Sequence, residues 1–163
     1  MKKHKGFTLI ELLVVVVLIS ILSGVILSVI NVNGIRQKTR DAQRVADLKK
    51  IQTALELYFS DNRAYIVSSG WNYVSANLAS LVTGGYISTL PTDPSPTGTS
   101  ITPCSAAKNY FYKATVSSYI LATRMEVASS AEESPCTSLN NWSTTLGCTM
   151  GTYTNCYGVE NPF

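Results

Sequence analysis

From Phe7 to Ile30 the chain carries one ionisable side chain, Glu11, in an otherwise apolar run. A helix that is apolar on every side needs lipid or other helices around it, since it has no polar face to turn to water. At about 1.5 Å per residue the run reaches roughly 36 Å, more than the ~30 Å of a hydrocarbon core. It is too long for the core of a secretory signal, which holds about 7 to 15 residues. The sequence therefore predicts a membrane-spanning helix behind the basic head MKKHKG. Glu11 would cost about 3 kcal/mol at mid-bilayer, but it lies only one turn into the run, where a side chain can reach the headgroups.

The formal charge of +3 comes from Lys2, Lys3 and Lys5; the ten other Lys and Arg balance ten Asp and Glu. A neutral remainder excludes whole-molecule attraction to nucleic acid, and the basic residues of 36–50 read as the polar side of a helix. That helix is legible in the recurrence of Ile35, Ala42, Val45, Leu48, Ile51, Leu55 and Tyr58, with Arg36, Arg40, Arg44, Asp47, Lys50 and Glu56 on other sides. No proline interrupts residues 7–90, so the two helical stretches are expected to form one rod, bent near Gly34 in the turn-prone NVNG.

Beyond Asp61 the helical period fades and a compact head is expected. Ser75 to Val82 reads as a short helix closed by Gly84 and Gly85, and LPTDPSPTG (Leu90 to Gly98) as a proline-rich turn region. Alternation over Tyr110 to Val116 and Tyr119 to Val127 predicts an antiparallel hairpin turning near Ser117. The last 35 residues are polar and hold Cys136, Cys148 and Cys156, with Cys104 upstream.

No CxxC pair is present, so the four cysteines read as two disulfides in an oxidising space rather than as a zinc site. Three connectivities are open. A hairpin turning near Ser117 brings Cys104 and Cys136 together at its open end, which favours Cys104 with Cys136 and Cys148 with Cys156. His4 is the only histidine and lies in the basic head; Glu132 and Glu133 are adjacent in a polar loop; Asp93 sits between prolines with no DxDxDG cluster. The reading is of no catalytic residues, no metal and no cofactor.

Cutting the chain between Gly6 and Phe7 would place an α-amine on Phe7, at i,i+4 from Glu11 on one helix face. In a bundle of identical helices, one subunit's carboxylate could meet its neighbour's amine and set the stagger. At these residues KGFTLIELLVVVVLISIL resembles the N-terminal signature of type IV pilins and of the related pseudopilins. The likeness continues through RDAQRVADLKKIQTALELYFSDNRAY and GYISTLPTDP. It implies cleavage after Gly6 by a prepilin peptidase, N-methylation of Phe7, and subunit registration by Glu11. It departs from many family members in having no proline in residues 20–34, where only Gly24, Ser28 and Gly34 are weak points.

The expected fold is α+β and pilin-like: a long N-terminal helix, membrane-spanning in its first half, packed on an antiparallel β-sheet head with a disulfide-bonded tail. The expected divisions are a leader 1–6, an assembly helix 7–34, its amphipathic continuation 35–61 and an exported head 62–163. The implied partners are copies of the chain in a helical filament, the peptidase, assembly-platform proteins and, before assembly, membrane lipid. The implied location is the cytoplasmic membrane as a single-pass precursor, then a filament outside it. The bond-locked tail favours a major subunit of a surface pilus. The alternatives are a pseudopilin of a type II secretion or DNA-uptake system and a minor pilin whose head binds a ligand or DNA.

Overall fold

The computed structural model describes residues 6–29, 31–132, 135–142 and 155–162, with side chains described except at 25–29 and 132. The chain divides into two compact units, residues 1–35 and 36–163.

In the first unit, helix α1 spans Leu9–Val29. All of its described side chains are exposed, and being apolar on every side they need lipid or other helices to cover them. Among the described residues no helix is long and apolar enough to cross a membrane. The described side chains of α1 end at Gly24, so the run predicted to span, Phe7 to Ile30, lies partly outside them. Helix α2 spans Val32–Asn62. Beside Gly34, where a bend is expected, α2 starts at Asn31, whose Oδ1 accepts the Gly34 N–H at 3.0 Å. Asparagine stabilises a helix start in this way because its side-chain oxygen replaces the missing carbonyl of the first turn. Gly34 suits the third helical position, since a Cβ there would lie 3.2 Å from Asn31 Nδ2.

In the second unit, α2 lies against a four-stranded antiparallel sheet in the order β1-β2-β3-β4: Ser68–Tyr73, Tyr110–Ala114, Tyr119–Arg124 and Cys156–Glu160. The predicted hairpin is β2–β3, with Tyr112 opposite Leu121 and the Thr115 N–H donating to Ser118 O at 2.8 Å across the turn. Its strands end earlier than the alternation suggested, at Ala114 and Arg124. β1 and β4 were not legible: SSGWNY and CYGVE are short, glycine-bearing and largely polar, and they become strands by pairing with the hairpin's two edges.

One face of the sheet meets α2. Tyr110, Tyr112, Ala114, Tyr119, Leu121 and Tyr157 pack there with Leu48, Ile51, Ala54 and Leu55 of the helix. The single helix expected over 75–82 is two short turns, α3 Val74–Asn77 and α4 Ala79–Thr83, hinged at the fully buried Leu78. They are closed by Gly84 and a Gly85 at φ +77°. A further turn, α5, covers Ala128–Glu132.

The other face carries a second, smaller core of Ile120, Ala122, Cys104, Cys136, Cys156 and Trp142, with Trp71 and Leu139 against it. The tail closes this face through Trp142, whose ring centroid lies 5.7 Å from that of Trp71. Among its described residues, the tail is held on this face by Trp142, Leu139 and the sulfurs of Cys136 and Cys156.

Candidate assembly site

Helix α1 starts at Thr8 and Glu11. The backbone N–H and the hydroxyl of Thr8 both donate to Glu11 Oε2 at 3.0 Å, and the Glu11 N–H donates back to Thr8 Oγ1 at 3.3 Å. This is a reciprocal capping box, in which residues three apart satisfy each other's unpaired amides at a helix start. A carboxylate in the first turn also lies at the positive end of the helix dipole. The charge in the apolar run therefore has a local role within one subunit, in addition to any role between subunits. Thr8 was missed in the sequence, although T-x-x-E ahead of an apolar run is the signature of such a box. Gly6 and Phe7 precede the helix and are exposed, Phe7 at 82%.

The head is fastened to α2 by a buried ionic cluster. Arg44, expected on a polar side of the helix, is fully buried. Its guanidinium grips Asp93 with two bonds of 2.7 Å and also donates to Asp41 Oδ1 at 2.8 Å, Glu126 Oε1 at 3.0 Å and Ser95 Oγ at 3.0 Å. Asp41 in turn accepts the backbone N–H groups of Glu126 and Val127. Arg40 adds a second fork to Glu126. Burial opposes the Arg44 charge, but Asp93, with Glu126 and Asp41, more than offsets it and raises the guanidinium above its ordinary value. Hydrogen bonds from Arg40, against the effect of burial and with help from Arg44, Lys108 and Ser95, hold Glu126 down at about 2.

The buried side of α2 runs Asp41, Arg44, Leu48, Ile51, Leu55, a three-and-four spacing in which the first two members are charged. The apolar recurrence found its upper part. Its lower part was assigned to Ile35 and Ala42, both exposed. Further along, Glu56 accepts the Tyr119 hydroxyl at 2.7 Å and that of Tyr65 at 3.0 Å, and Asp47 accepts that of Tyr110 at 2.9 Å. Burial first, then the carboxylate partner, pushes each of these three phenols upward. Arg40 and Arg44, part of the basic stretch considered for nucleic acid, are thus engaged inside the head.

Residues 1–27 match the family described as "Prokaryotic N-terminal methylation motif". The chain is 35% identical over 106 residues to the type II secretion system core protein G of Vibrio cholerae serotype O1, covering 58% of this chain and 67% of that protein. It is 36% identical over 101 residues to the protein of the same name from Klebsiella pneumoniae, covering 58% and 71%. The chain belongs to the pilin and pseudopilin family. No solved structure matches it. The α+β, helix-on-sheet architecture expected from the resemblance is the one described above, and this family member is a structural protein rather than an enzyme.

Three of its cysteines, Cys104, Cys136 and Cys156, converge on the sheet face away from α2. Cys156, at the start of β4, lies within bonding reach of both Cys104 and Cys136, with Cα–Cα separations of 5.3 and 5.6 Å. All three are buried, and their sulfurs lie within 4.8 Å of one another. The hairpin does bring Cys104 and Cys136 to one place, but β4 inserts Cys156 beside them, and a strand unseen in the sequence was not weighed in the expected pairing. Cys148, its expected partner, lies outside the described residues.

Proposed function

We propose that this pilin-family chain is a filament subunit of the pseudopilin kind, serving a type II secretion-like assembly. It is made as a membrane-anchored prepilin, cut after Gly6 and N-methylated at Phe7. Residues 7–34 form the assembly helix, 35–61 carry the head, and 62–163 decorate the outside of a helical homopolymer. The observation that carries this reading is the combination of a prepilin-type start over residues 1–27 with relatives named as secretion core proteins.

The chemistry follows from the helix start. Before assembly the apolar α1 keeps its side chains in lipid, and Glu11 closes its own helix through Thr8. Cleavage adds an α-amine at Phe7, with an ordinary pKa near ~8, to the end of the chain. In the filament lipid is exchanged for neighbouring helices, so little apolar burial is lost or gained, and stagger has to come from a specific polar pairing. A neighbour's amine on the Glu11 carboxylate meets that need, because a buried ion pair fixes register more dependably than it adds stability. Prepilin peptidase and a membrane assembly platform are the partners this route requires.

A second reading, the major subunit of a surface pilus, is favoured by the sulfur-rich tail that closes the far face of the head. Intact-mass measurement of the mature chain should show loss of MKKHKG and gain of one methyl group; a mass retaining those six residues overturns both readings. Glu11→Ala should give a processed chain that stays in the membrane and enters no filament, and normal filaments would refute the registration role. Deleting the gene should block export of envelope-crossing proteins without removing surface fibres. Loss of sheared fibres with export intact would instead establish the pilus.

A further inference from the structure

The segment that joins the apolar run to the head carries cations and no acid. From Leu12 to Arg40 there is no Asp or Glu, and Asp41, the first after Glu11, is buried. Of the cations in this stretch and just beyond, Arg40, Arg44 and Lys50 are taken up by Glu126, Asp41, Asp93 and Asp47. Arg36 and Lys38 are exposed and belong to none of the ion pairs among the described residues. The neutral total of the chain beyond its basic head therefore conceals a local excess. Acids are engaged inside the head, and two cations stand open at the start of α2.

Their place on α2 limits what they can meet. Val32, where α2 begins, is two residues past Ile30, and Arg36 and Lys38 follow at about 6 and 9 Å along the helix axis. Both side chains are long enough to reach back toward lipid, so the chain itself keeps their charges within a Debye length, about 8 Å, of the headgroup layer. Lys49, about 26 Å along α2, is under no such restraint. Residues two apart also point to nearly opposite sides of a helix, about 200° round. A protein docked on one side of α2 would reach one of the two cations, whereas a layer of phosphates surrounding the helix reaches both.

We propose that Arg36 and Lys38 bind the headgroups of anionic phospholipids in the leaflet on the side of the head. This rests on the membrane-anchored form proposed above. Each Lys or Arg held at such a surface changes affinity for it about fivefold. In that form Lys2, Lys3 and Lys5 stand at the opposite leaflet and leave with MKKHKG. Cleavage then makes Arg36 and Lys38 the Lys and Arg nearest the apolar run, and extraction into a filament has to break their contacts with lipid.

The test uses the full chain with Lys2→Gln, Lys3→Gln and Lys5→Gln, which silences the other end, in phosphatidylcholine vesicles holding a trace of spin-labelled phosphatidylglycerol or spin-labelled phosphatidylcholine. Electron paramagnetic resonance reads the share of each labelled lipid that the protein immobilises. Phosphatidylglycerol should be favoured about fivefold or more. Adding Arg36→Gln and Lys38→Gln, or raising salt to about 1 M, should bring the two lipids level, while Lys49→Gln should change nothing. Both replaced side chains are exposed, so the thermal midpoint should stay that of the parent chain. Immobilised lipid with no headgroup preference, or a preference that survives Arg36→Gln with Lys38→Gln, overturns the proposal alone; a preference lost with Lys49→Gln also overturns it, by placing the lipid site on the head. Absence of any immobilised lipid refutes the membrane-anchored reading and the proposal with it.

Discussion

Replacing Arg44 by methionine removes the cation at the centre of the head's ionic cluster while keeping most of the side chain's length. Asp93 would lose both its fork bonds and Asp41 and Glu126 one each, in a site where Arg44, Asp41 and Asp93 have 0–1% of their side chains exposed and Glu126 has 8%. Taking one partner from a buried pair leaves the other charge desolvated and uncompensated, at a cost of about 3–5 kcal/mol. For a chain of this size that corresponds to a fall of roughly 10–15 °C in midpoint temperature. Urea unfolding of the full chain in detergent, followed by far-UV circular dichroism, reads the loss directly. Adding Asp93→Leu should recover part of the loss, since the double change removes both ends of the closest pair. A single-variant cost under about 1 kcal/mol would refute the claim that Arg44 neutralises buried carboxylates.

The clamp also sets an acid limit for the unaltered head. Glu126 is depressed from 4.5 to about 2, so it adds stability above its unfolded value and loses it as pH falls through about 2; roughly 2–3 kcal/mol of stability should disappear over that interval, and Glu126→Gln should flatten that part of the stability–pH curve. Gly158→Ala should cost about 1–3 kcal/mol in urea unfolding, because the new methyl lies 2.9 Å from Leu121 O and from Leu139 Cδ1 and either β4 or the tail must shift. Tyr119→Phe removes the 2.7 Å bond to the half-buried Glu56 and should lower stability by about 1 kcal/mol, while the same change at the exposed end of Tyr73 should cost less than half of that.

The front of this protein was largely legible from residue order. An apolar run with one acid after a basic head is a matter of composition over consecutive positions, and periodicity alone delivered α2 and the central hairpin, because helix and strand repeat on fixed steps. What misled was local burial. The charged residues Asp41 and Arg44 occupy the helix face that the apolar count assigned to solvent, and they lie inside only because Asp93 and Glu126 arrive from 49 and 82 residues away to neutralise Arg44. Thr8 was overlooked for the opposite reason: its capping signal was local and plain, but the lone charge beside it drew the interest.

Residue order by itself determined that one end of the chain would suit lipid or a helical bundle, and that the other would build a small sheet around a hairpin. Tertiary structure alone decided that α2 would be held by buried ions, that two polar segments would become edge strands, and that three cysteines would share one point on the far face. The physical reason is common to all three. A charge, a short polar strand or a thiol acquires its structural role from what stands opposite it, and that partner lies tens of residues distant along the chain.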